Sequence, residues 1–228
     1  MIDILLLIVL GVVTWCVAGE GAVGAALIFF SVLFAGLLAM NFFEPVAALL
    51  ESISSNSSWV ALCDITALLG LFGLLAFGLR AATEYYSPTY IQVPNLMHHI
   101  GRWGFGVMTG YLSMAIVLTA LHTSPFPREF IGFKPERKNF LNFSAPDRQW
   151  LGFVQYVSET SLRKGESNIF DGPKYALPGQ TNNTWPSFPI RYAYRRQVIA
   201  SGVTTFSAPE AAPIAPPTPG GSGTRPNF

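Results

Sequence analysis

Asp64 is the one carboxylate well inside a central apolar run, residues 59–79. A carboxylate so placed can carry a cation or a proton across a bilayer, and holding it at a helix centre costs ~2.5–3.5 kcal/mol. It lies five residues past Trp59, about 7.5 Å along a helix axis and near the positive end of the helix dipole. That position favours a polar residue at the membrane interface, with an ion-pathway carboxylate as the alternative. Arg102 heads another apolar run. Its side chain can snorkel to headgroups and anchor the topology, or pair with Glu84 or Glu20.

The other candidates exclude more chemistry than they supply. His98 and His99 are adjacent, so they point to different helix faces, and no third ligand stands at metal spacing. His122 closes an apolar run and is expected at the interface. Cys16 and Cys63 lie within apolar runs, belong to no CxxC pair and read as small packing residues. No Ser-His-Asp set, HExxH motif or P-loop occurs. Gly101-Arg102-Trp103-Gly104-Phe105-Gly106 has glycine spacing near a nucleotide fingerprint, yet it opens an apolar helix and follows no strand. The chain is therefore expected to hold no catalytic residue, no metal and no cofactor, and not to be an enzyme.

The elements that must position these residues are four apolar stretches, 2–18, 22–43, 59–79 and 104–121, of 17, 22, 21 and 18 residues. A hydrocarbon core of ~30 Å is crossed by roughly 17–25 apolar residues in a helix. Inside lipid each backbone N–H and C=O must find its partner within the chain, which makes such stretches helical. The predicted fold is all-α: a four-helix transmembrane bundle over residues 1–122, with a C-terminal polar tail containing one short helix. The lipid bilayer is the first expected partner.

Charge supports this division. Charged residues are 12% of the chain, about half of the ~25% usual in soluble domains. Residues 1–122 carry two basic against six acidic side chains, and residues 123–228 carry 12 against 7. No basic run is longer than Arg195-Arg196, so neither a nucleic-acid footprint nor a polybasic lipid patch is expected. The first apolar stretch lacks the positive n-region of a signal peptide and reads as an uncleaved span.

Gly19-Glu20-Gly21 predicts a tight reversal and an antiparallel hairpin of the first two spans. Glu44-Pro45 is expected to end the second span. Serines before Trp59 can cap the third helix, with Trp59 at the interface. The third span runs out at Arg80, and residues 89–100, with Pro94, read as a loop or interfacial turn. In the tail, Trp150, Phe153, Val154, Val157 and Ser161 share one helical face, predicting an amphipathic helix over 144–162 that begins at a cap in Ser144-Ala145-Pro146-Asp147. Residues 123–206 are expected to dock on the membrane part. Residues 207–228, rich in Ala, Pro, Gly, Ser and Thr, leave nothing to bury and are expected to be disordered.

Helices in lipid gain from close backbone approach through small residues. Ser31, Ala35 and Ala39 form such a stripe, as do Thr66, Gly70 and Gly78, and Gly106 with Gly110 forms a GxxxG. These stripes read as packing of the bundle on itself, with the seam of a homo-oligomer or larger membrane complex as the alternative.

Several of these residues carry a family resemblance: the N-terminal Ile-Asp-Ile, the run Gly19-Glu20-Gly21-Ala22-Val23-Gly24, the four spans, and the basic, glycine-rich start of the fourth from Gly101-Arg102 to Gly110. Residues 1–122 resemble the colicin V production protein (CvpA) family. The resemblance implies a multi-pass protein of the bacterial inner membrane with a structural or assembly role in secretion, toxin biosynthesis or envelope homeostasis, and no enzyme activity. A subunit of a small oligomeric channel or transporter is the alternative. This chain departs from the family where Gly19-Glu20-Gly21 replaces an Arg-Gly-Phe run and Gly101-Arg102 replaces an Asp-Arg pair. Four spans place both termini on one side. Loop charges and the resemblance favour the outside, against the basic residues that open the tail.

Overall fold

The structure is a computed structural model that describes residues 2–53, 57–86, 94–126, 130, 132–133, 140–141, 143–161, 175–176, 184–185, 188–189 and 192. Four long helices, α1 (Ile2–Ala18), α2 (Gly21–Ile53), α3 (Ser57–Tyr86) and α4 (Asn95–His122), are followed by α5 (Pro146–Tyr156). A π-helical turn, Val157–Ser161, continues α5. The strands β1 (Tyr175–Ala176) and β2 (Thr184–Trp185) form one short antiparallel ladder. Helices α2, α3 from Trp59, and α4 are long and apolar enough to cross a membrane, and α1 is a shorter apolar helix beside them. The fold is an all-α membrane bundle.

The chain reverses between α1 and α2 through Gly19 and Glu20, and Gly21 takes φ of 81°, a conformation open to glycine and strained for other residues. Yet α1 does not pack mainly on α2. It runs down α4, because α4 presents Gly106 and Gly110 there. A Cβ on Gly106 would stand 3.0 Å from the Thr14 carbonyl, and one on Gly110 only 2.6 Å from Thr14 Oγ1 and 2.8 Å from the Leu10 carbonyl. Ile2 and Leu6 of α1 pack with Met114 and Leu118 of α4 and with Phe133.

Three expected boundaries move. Helix α3 continues past Arg80 to Tyr86. Helix α2 passes through Pro45 and ends at Ile53. Proline there costs about 3 kcal/mol in a helix interior, but Phe43 and Ala47 on either side are buried in the core, and that packing outweighs it. Helix α4 starts at Asn95, directly after Pro94, so residues 95–100 are helical and not a loop. His98 of this first turn packs its ring 3.1 Å from the Cβ position of Gly21. Helix α4 stops where Thr123 and Ser124 return their hydroxyls to the carbonyls of Ala120 and Leu121, ahead of Pro125.

The larger core joins α2, α3, α4 and α5: Ala39, Met40 and Phe43 meet Ala67, Leu68, Ile116, Trp150 and Val154. Ser31, Ala35 and Ala39 all face inward on α2. The amphipathic tail helix falls within the expected 144–162; Trp150 and Val154 of the expected face are buried, with Leu151 beside them, but Phe153 is exposed and Val157 only half-buried. Its cap differs from expectation. Ala145 holds the N-cap position without a side-chain bond, and Pro146 opens the helix. Residues 54–56, which include Ser54 and Ser55, and the Pro-rich segment 207–228 lie outside the described residues.

Candidate functional site

The features that stand out chemically lie at the two ends of the bundle. At one end, Arg80 near the close of α3 donates from Nη2 to Glu20 Oε1 at 2.6 Å and from Nε to Glu84 Oε1 at 2.7 Å. This ties the α1–α2 turn to α3. All three side chains remain substantially exposed, so each pair is worth about 0–1 kcal/mol. Arg102, for which a pair with Glu84 or Glu20 is the alternative to a topology anchor, does not take these acids, because Arg80 holds both. Its guanidinium lies 5.5 Å from the ring centroid of Trp103.

At the other end, the last residue of α4 meets the first turn of α5. His122 Nε2 and Asp147 Oδ2 are 2.8 Å apart, and both side chains are wholly buried. His122 is shielded because α5 folds back over the end of α4 and Phe133 closes the other side, its ring edge-on to the imidazole at 4.9 Å. Among the described residues, His122 Nδ1 and Asp147 Oδ1 have no hydrogen-bond partner. A buried pair of this kind is a clamp more than a stabiliser: removal of one partner costs about 3–5 kcal/mol, whereas replacement of both by apolar residues is often neutral. Nearby, the Tyr111 hydroxyl bonds Ser144 Oγ at 3.0 Å and donates to Gln149 Oε1. The N-terminus joins the same end, where Asp3 Oδ1 accepts from the Leu141 N–H at 2.7 Å.

The sequence-selected residues divide. Gly106 and Gly110 line the α1–α4 seam. Among the described residues, Gly70 and Gly78 have nothing within 4 Å of their Cβ positions, because α3 turns Cys63, Asp64, Ala67 and Leu68 inward and leaves Thr66, Gly70 and Gly78 outside. Asp64 is buried, 4% exposed, on the inward face of α3 with Cys63, Ala67 and Leu68. Cys16 is exposed, and Cys63 is buried with its thiol donating to the Trp59 carbonyl at 3.3 Å; neither forms a disulfide. The His98 and His99 rings stand nearly perpendicular, 5.8 Å apart. Sequence reasoning missed the His122–Asp147 pair. Its only signals were a histidine closing an apolar run and an acid opening an amphipathic helix.

The family model described as Colicin V production protein matches residues 2–139. The chain belongs to that family. No curated protein and no solved structure matches it. The match to the colicin V production family covers α1 to α4 and reaches past the expected limit at residue 122 into the segment that carries Phe133. It stops before α5. His122 thus lies inside the residues matched to the family, and Asp147, its partner, lies outside them. An integral membrane protein with several spans follows from the family and the apolar helices together.

Proposed function

We propose that this protein is a non-catalytic component of the bacterial inner membrane that supports secretion, toxin production or envelope homeostasis as a structural or assembly element, within a homo-oligomer or larger membrane complex. The observation that carries this reading is the buried His122–Asp147 clamp. It spends a desolvated polar pair on holding the tail at one place on the bundle, which is what a scaffold needs and a flux pathway does not. The outward small-residue stripe of α3, Thr66, Gly70 and Gly78, supports a neighbour in the membrane.

The competing reading, a subunit of a small channel or transporter, draws on Asp64, buried within α3. Complementation separates the two. In a strain without the native gene, the Asp64→Asn variant is expected to restore toxin export and detergent resistance as the natural chain does. A chain ending at residue 143 is expected to fail although it inserts in the membrane. Failure of Asp64→Asn together with full rescue by the truncated chain would overturn the scaffold reading in favour of transport.

A further inference from the structure

Helices α2 and α4 touch closely at two heights. A Cβ on Gly101 would stand 3.0 Å from Ala22, and one on Gly36 would stand 2.7 Å from Ile116 and 2.9 Å from Trp150. Beside these contacts, where α5 lies against both helices, a cavity of about 500 Å³ opens. Its walls are Phe29 and Leu33 of α2, Val107, Met108 and Leu112 of α4, and Phe153 of α5. The volume falls in the ~300–1,000 Å³ range of ligand sites. Its polar atoms gather at the α5 end, where the Tyr111 hydroxyl meets Gln149.

The depth of this cavity decides what can enter it. The charged cluster of Glu20, Arg80 and Glu84 marks one end of the bundle, level with Gly101 and Ala22. At 1.5 Å per residue, Val107 and Phe29 lie about 10 Å above that level, and Ala115 about 21 Å above it. The cavity therefore opens within the ~30 Å hydrocarbon layer. Its mouth is continuous with the lipid-facing surface of the spans: Phe30, Phe34, Val107 and Met108 are each about half exposed.

We infer that the groove between α2, α4 and α5 seats one acyl chain of a membrane phospholipid, its methyl end toward Phe29 and Val107 and its polar end beside α5. The gain over free lipid is not hydrophobic, since lipid tails are as apolar as the groove. It comes from dispersion contacts that an unfilled groove would forfeit on every wall. Helix α5 supplies one of those walls, so the seated chain and the docked tail support each other.

The test uses the full chain in nanodiscs of phosphatidylethanolamine and phosphatidylglycerol, doped with a phosphatidylethanolamine bearing a diazirine on one acyl chain. After irradiation, peptide mapping is expected to find adducts concentrated on Leu33, Met108 and Leu112 over Ile8 and Trp15 of the outer α1 face. Leu33→Trp and Val107→Trp, which fill the groove from opposite walls, are expected to bring the groove adducts down to the α1 level and leave the α1 adducts unchanged. The unchanged α1 adducts also report that each variant is inserted and folded. Equal labelling of groove and α1 face, or labelling that survives both fillings, would overturn the assignment. So would displacement of the groove adducts by free fatty acid alone, or cross-linking of a second copy of the chain into the groove.

Discussion

Single atoms decide two features of this bundle. Loss of either member of the His122–Asp147 pair leaves the other buried and unpaired. His122→Ala and Asp147→Ala are each expected to destabilise the detergent-solubilised protein by about 3–5 kcal/mol. The double variant His122→Leu, Asp147→Leu should return most of that, and a double-mutant cycle of thermal unfolding reads the coupling. A second expectation concerns the glycines. Gly110→Ala brings a methyl group against the Leu10 carbonyl and Thr14 Oγ1 and should cost about 1–3 kcal/mol through overpacking. Gly78→Ala meets open space and should leave monomer stability within about 0.5 kcal/mol of the parent. Equal melting temperatures for the two would place Gly110 away from α1.

At the level of elements, α5 is held by its neighbours and not by itself. Eleven residues are too few for a stable isolated helix in water, and Trp150 and Val154 belong to the core built by α2, α3 and α4. Trp150→Ala is expected to cost about 3–5 kcal/mol of docking, visible as faster amide exchange across residues 146–156 while α1–α4 keep their protection. Residues 123–228 expressed alone should give a narrow, unfolded-like NMR spectrum for the same reason. Dispersed signals from 144–161 would show that the tail folds without the bundle. The same logic explains α2, where the apolar residues flanking Pro45 hold a helix that local propensity would end.

For the whole molecule, α1 to α4 run alternately up and down, so the N-terminus, the α2–α3 junction and the tail share one side. In a Cys16→Ala background, cysteines placed at the exposed positions Ser52 and Phe143 should label from one side, and a cysteine at the exposed Tyr86 from the other. The accessible side for 52 and 143 is expected to be periplasmic. Labelling of 52 and 86 from the same side would break the four-span arrangement.

Amino-acid order alone determined the four apolar helices, the tight reversal at Gly19-Glu20-Gly21, the GxxxG stripe and the amphipathic tail helix. Each is a local property: length against bilayer thickness, a missing Cβ, or a 3.6-residue rhythm. The family was legible for the same reason, through short motifs read along the chain. Only tertiary structure decided who packs on whom. Helix α1 takes α4 over its sequence neighbour α2 because Gly106 and Gly110 let the backbones approach. Gly70 and Gly78, equally plausible as letters, face outward because α3 turns its other side to α2. Arg80, not Arg102, takes Glu20 and Glu84 because the end of α3 stands beside the first turn. His122 and Asp147, 25 residues apart, became a buried pair only when α5 folded back over the end of α4. Their pairing energy depends on the water that folding removes from around them, and no local pattern in the sequence encodes that removal.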